Sequence, residues 1–280
     1  MSNSTVNFTT PEASTNSTTH SFEAINSLEM FAFGINVLLG LPIHSYITWL
    51  IITGTGNGVA SEFLNLNLSV CEIGNSLNTV FGILTYFFPS CTIVTYVLQG
   101  LATTGRPLFQ CLICVERYLA VVYPVTFLKY KPLRYRVICC SVVWIITLGS
   151  CLFCSVCILI PLSLLAYVWF ISVQFLLFLF TQLFCLVAVL RALKQSGPGE
   201  RKREEENHMK RRAFYLILIT TVTMIIQYAP FTITGFFAIL TQQSFLDFWC
   251  PAFLCYVLAG FVQPVLYLQR ARKLSCLSSS

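Results

Sequence analysis

Long apolar stretches with almost no charge recur along this sequence, and they constrain its fold more than any other feature. A bilayer core of about 30 Å requires roughly 20 apolar residues per helix. Such stretches are read here at 30–53, 62–88, 91–120, 136–159, 163–193, 209–240 and 248–268. The fourth and fifth come from one uncharged run between Arg136 and Arg191, too long for a single crossing, with Pro161 as the natural turn. Only 10% of the 280 residues are charged, against about 25% in a soluble domain. No soluble domain fits between the spans. The expected fold is an all-α membrane protein, a seven-transmembrane helix bundle with its N-terminus outside.

The cations set that orientation, because lysine and arginine beside spans mark the cytoplasmic side. None of the 17 precedes Arg106. Arg117, Lys129, Lys131, Arg134 and Arg136 surround the loop after span three, and Arg191 to Arg212 carries eight more between spans five and six. Arg270, Arg272 and Lys273 follow span seven. These three clusters share one side only if the span count is odd. The loop 195–210 holds Gly-Pro-Gly, Arg-Lys-Arg and three consecutive Glu, and reads as a solvated, partly helical linker. The net charge of +6 fits an inner face against anionic lipid and does not point to nucleic acid.

Residues 1–29 are rich in Ser, Thr and Asn and hold no Lys or Arg. A signal peptide needs a basic start and a short apolar core, and neither is present. Asn3, Asn7 and Asn16 each begin an Asn-x-Ser/Thr triplet, which favours a glycosylated extracellular tail. The triplet at Asn67 lies inside a span and is expected to stay unmodified. The domain reading is therefore 1–29 outer tail, 30–268 bundle and 269–280 short cytoplasmic tail.

At the end of span three stands Glu116-Arg117-Tyr118, with Pro124 seven residues after the arginine. Trp144 sits within span four; Gln227-Tyr228-Ala229-Pro230 lies in span six, Gln263-Pro264-Val265-Leu266-Tyr267 in span seven, and Asn67-Leu68 followed by Glu72 in span two. In this order the set resembles the motifs of rhodopsin-like (class A) G-protein-coupled receptors, as a divergent member. Tyr stands for Trp at 228, Gln for Asn at 263, Glu for Asp at 72, and His44 replaces the span-one Asn. The resemblance implies a plasma-membrane, multi-pass receptor for an outer ligand that opens its inner face to a heterotrimeric G protein. It assigns coupling to Glu116, Arg117 and Tyr118, and switching to Tyr228, Pro230, Pro264 and Tyr267.

Charge inside a membrane is expensive and usually functional. Counting about 1.5 Å per residue from the inner ends, Glu72 and Arg106 both lie roughly 15 Å deep. An ion pair between them is expected, with His44 at a similar depth and Gln263 completing an intramembrane polar tier. In the family, the Glu72 position resembles a sodium-binding acid, so a guanidinium here implies a tethered cation in place of sodium. A purely architectural pair and a switching pair remain equally open. Pro107 falls mid-span in span three, and span five lacks an interior proline. Lys210 stands where some receptors carry an acid that latches Arg117; two cations cannot latch, which implies raised basal activity, with loss of signalling as the rival.

The outer half of the bundle lacks Lys and Arg, which disfavours phosphate and carboxylate ligands. Gln99 occupies the place of the amine receptors' Asp. Glu29 and Asp247 read as solvated rim acids. Tyr96, Gln99, Thr103, Gln227 and Tyr228 are the pocket candidates, for a small neutral or lipophilic ligand. The resemblance puts a disulfide cysteine at Cys91, with Cys157 as preferred partner and Cys250 as the alternative. Cys276, after the basic cluster, is a palmitoylation candidate. No metal-ligand spacing, nucleophile elbow or phosphate loop occurs, so neither cofactor nor catalysis is expected. Besides a signalling receptor, a receptor-like protein that no longer signals and a transporter remain as readings.

Overall fold

The computed structural model describes residues 27–53, 62–130, 133–159, 164–195, 201–241 and 246–269. Among these residues it is a bundle of seven helical spans without strands. Span one is Ser27–Ile52, with a π-helical turn at Asn36–Gly40. Span two is Phe63–Thr85. Span three comprises Thr92–Gly100, a π turn at Leu101–Gly105, and Arg106–Val122. A short helix, Pro124–Tyr130, follows. Spans four to six are Leu133–Leu159, Leu164–Gln195 and Arg201–Thr241. Span seven runs Leu246–Gly260 and resumes at 262–269. The turn expected at Pro161 lies outside the described residues. The end that carries Glu116 is called inner below.

Spans one, four, five, six and seven are each long and apolar enough to cross a bilayer. Their apolar side chains face outward, as Ile145, Leu148, Phe180 and Phe184 do, because lipid tails solvate them. Span two is polar on its inward face instead: Ser69, Glu72, Asn75, Ser76 and Thr79 are all buried. Their spacing of three and four residues puts them on one stripe of the helix.

Lipid does not drive apolar helices together, so close approach of small residues holds such bundles. Gly100 illustrates this, since a Cβ there would sit 2.4 Å from the Cys151 backbone nitrogen. At Gly105 it would sit 2.7 Å from Cys71 Sγ. Span three therefore lies hard against spans two and four. On its other side, Phe175, Phe178, Met224, Tyr228, Tyr256 and Val257 form a core between spans five, six and seven. Trp144 is tied to span two, its Nε1 donating to Asn67 Oδ1 at 2.9 Å.

Candidate functional site

Span three is broken at mid-depth by its own sequence. In the π turn Leu101–Gly105, the Arg106 N–H donates to the Leu101 carbonyl five residues back. The next residue, Pro107, has no N–H to give. In the same register the Ala102 carbonyl is left without its helical donor. Tyr228 of span six fills the gap: its hydroxyl donates to the Ala102 carbonyl at 2.7 Å. The sequence singled out Pro107 as a departure and Tyr228 as a switch and pocket residue without connecting them; no local pattern links Ala102 to Tyr228, 126 residues apart.

Just below, the Arg106 guanidinium meets the Glu72 carboxylate in a bidentate pair, Nε to Oε1 and Nη2 to Oε2. Both residues are buried, at 3% and 4% exposure. Two charges survive there because parallel charge-assisted bonds join them, although Arg106 Nη1 is buried without a hydrogen-bond partner. The guanidinium also lies 4.3 Å from the centre of the Tyr256 ring, a cation–π contact. Asn75 donates to the Tyr256 hydroxyl at 3.4 Å. On the far side Gly260 makes room, since a Cβ there would lie 3.3 Å from Arg106 Nη1. His44 is buried within electrostatic reach of both charges. Gln263 does not join this tier and lines a crevice at the inner end instead.

Above the tier a cavity of about 390 Å³ opens among spans one, two, three, five, six and seven. Tyr228, Tyr256, Ala102 and Thr103 line it, as do Asn75, Asn78, Thr79 and Gln99 of spans two and three. Of the pocket candidates, Tyr96, Gln99, Thr103 and Tyr228 are on its wall; Gln227 is fully buried and is not. Sequence reasoning missed the span-two residues, although their spacing on one polar stripe was the available signal. Among the described residues no Lys or Arg lines the cavity and the one acid that does is Glu29, which accepts a hydrogen bond from the Tyr86 hydroxyl at 3.3 Å. Glu29 is thus a wall residue rather than a solvated rim acid. The side chain of Asp247 lies outside the described residues. Asn78 Oδ1 is buried without a partner, so the wall offers an acceptor to an occupant.

At the inner end, Arg117 of span three lines a crevice of about 60 Å³ with Ile217 and Thr220 of span six and Gln263 and Tyr267 of span seven. Glu116 pairs with Arg136 at the foot of span four. Sequence reasoning did not anticipate that pairing. The Tyr118 ring packs edge-on against Tyr123 and Phe184. Pro264 is buried within span seven, and Pro230 lies within span six directly before the cavity-lining Phe231.

The expected Cys91–Cys157 disulfide is not formed. Cys91 ends a short 3-10 turn at Pro89–Cys91. Cys157 packs in the seam of spans four and five beside Cys154 and Tyr167. Asn3, Asn7, Asn16 and Cys276 lie outside the described residues. Among those described, no cluster of His, Cys, Asp or Glu is suited to a metal ion.

The sequence profile described as 7 transmembrane receptor (rhodopsin family) matches residues 44–267. The chain belongs to the rhodopsin family of seven-transmembrane receptors. The match takes in the polar tier, the inner crevice and the cavity wall apart from its span-one residues. This family member is also similar to the Mas-related G-protein coupled receptor member A1 of Mus musculus, at 21% identity over 270 residues, covering 84% of each chain. As a rhodopsin-family protein it falls in a class of receptors, not of enzymes. Its departures are therefore substitutions within a receptor framework: Arg106 beside Glu72, and Tyr228 against span three.

Proposed function

We propose that this receptor takes a small neutral ligand into the cavity from the outer side of the plasma membrane and couples it to a heterotrimeric G protein at the inner crevice. In this reading the N-terminal tail 1–29 is extracellular and glycosylated at Asn3, Asn7 and Asn16, 30–268 is the bundle, and 269–280 is cytoplasmic, with Cys276 available for palmitoylation. One observation carries the reading: cavity and polar tier share Tyr256, whose ring faces the Arg106 guanidinium. A ligand that displaces Tyr256 acts at once on the pair joining spans two and three. The lining supports a neutral ligand, since among the described residues it holds no cation for an anion and a single, hydrogen-bonded acid. Asn78 Oδ1 favours a ligand with an N–H or O–H to donate.

Arg117 is the residue assigned to the G protein, with Tyr118 and the following loop around it. A ligand and an inner partner that prefer the same helix packing stabilise each other by linkage. The test is ligand-free activation across the main Gα classes, comparing wild type with Arg117→Ala at equal surface expression. A basal signal abolished by the substitution supports coupling. A signal identical in both proteins overturns the role of Arg117.

A further inference from the structure

The break in span three and the tyrosine in span six are complementary in a way neither explains alone. Pro107 removes the donor that the Ala102 carbonyl needs, and Tyr228 supplies one across the helix interface at 2.7 Å. Ala102 is 6% and Tyr228 4% exposed, so water does not readily replace either group, and an unmet carbonyl there is costly. Both residues also line the cavity. The Tyr228 ring stands edge-on to Tyr256, with centres 6.0 Å apart, and Tyr256 carries the Arg106 guanidinium. Pro230, two residues on, already weakens the ladder of span six at the same level.

We propose that Pro107 and Tyr228 are two halves of one latch that holds spans three and six together while the cavity is empty. The proline creates a vacant acceptor in span three, and the tyrosine fills it from span six. Span six separates from span three only when the Tyr228 hydroxyl gives up the Ala102 carbonyl. The consequence for signalling rests on the receptor reading above; the latch itself does not.

The experiment is a double-mutant cycle on the purified full-length protein in lipid nanodiscs, with wild type, Tyr228→Phe, Pro107→Ala and the double variant. Alanine at 107 returns an N–H, which meets the Ala102 carbonyl in the π register; in the α register it meets Thr103, and the Arg106 N–H serves Ala102. Tyr228→Phe is expected to lower Tm by several degrees in the wild-type background and by less than half as much beside Pro107→Ala. Equal losses in both backgrounds overturn the latch. Should Pro107→Ala fail to fold, amide exchange in Tyr228→Phe alone decides: exchange over residues 101–106 rises several-fold while Thr92–Gly100 is unchanged, or the latch is wrong. Ligand-free G-protein activation is then read in the same variants. A rise of at least twofold in Tyr228→Phe supports the latch as a brake. A non-additive cycle with no activation of any Gα class upholds the latch and counts against the coupling reading instead.

Discussion

Arg106 and Glu72 form a bidentate ion pair buried between spans three and two, and the Tyr256 ring covers the open face of the guanidinium. Removing one partner of such a pair costs about 3–5 kcal/mol, because the other charge is left without compensation. Glu72→Ala and Arg106→Ala are therefore expected to lose most surface expression and thermal stability. The apolar double replacement, Glu72→Leu with Arg106→Met, is expected to recover a large part of both. Thermal unfolding of the four proteins checks this; single variants as stable as wild type would contradict it.

The same pair predicts indifference to sodium. The carboxylate that could hold the ion already has both oxygens engaged by a tethered cation. Exchanging sodium for N-methylglucamine should leave the wild-type Tm unchanged. Arg106→Ser vacates the site, so sodium should then raise Tm by a few degrees, on the order of 1 kcal/mol by linkage at 150 mM salt. Sodium sensitivity in the wild type would show that the carboxylate is not occupied as described.

Two glycines in adjacent spans make a matched test of close packing. Gly100→Ala places a Cβ 2.4 Å from the Cys151 backbone nitrogen, which cannot move without shifting span four. A loss of about 1–3 kcal/mol is expected. Gly149→Ala meets nothing within 4 Å and should gain up to roughly 1 kcal/mol from helix propensity. Unfolding of the two variants checks the sign of each. Similar values would mean that spans three and four are not in contact at Gly100.

Cys91 and Cys157 are both free thiols, so no disulfide at Cys91 contributes to stability. Cys91→Ser is expected to reach the cell surface at wild-type levels, and reducing agent should leave Tm within about 1 °C, where loss of a structural disulfide typically costs 2–5 kcal/mol. Surface biotinylation and a melt with and without reductant measure both.

At the inner end, the Glu116–Arg136 pair is partly exposed, with side chains 20% and 12% accessible. Screening limits its worth to about 1 kcal/mol or less. Arg136→Ala should thus change Tm only slightly. Its effect on ligand-free activation is expected to be larger, because Glu116 adjoins Arg117. A large Tm loss with unchanged activation would assign the pair to stability alone.

Much of the architecture was legible one residue at a time. Uncharged stretches count the spans because an unpaired charge in lipid is expensive, and Glu72 and Arg106 fall at equal depth because a helix rises by a constant step. Motif order carried Arg117 and Tyr267 to one end, where they line one crevice, but it put Gln263 in the polar tier, whereas Gln263 lines that same crevice. Other features were invisible because they depend on rotation and register between helices. The Cys91–Cys157 expectation failed because depth along a helix does not say which neighbours a side chain meets: Cys157 packs against Cys154 and Tyr167. Gln227 and Tyr228 are adjacent, yet only Tyr228 lines the cavity.

Sequence alone, then, determined how many helices cross, in what order, and at what depth each charge lies, because those follow from hydropathy and a fixed rise. Tertiary structure decided which groups meet. Whether Tyr228 reaches the Ala102 carbonyl, Arg136 reaches Glu116, or Tyr256 covers Arg106 depends on how each helix turns about its axis. That rotation is set by packing small residues such as Gly100 and Gly105 against neighbouring helices, and no periodicity within one span encodes it.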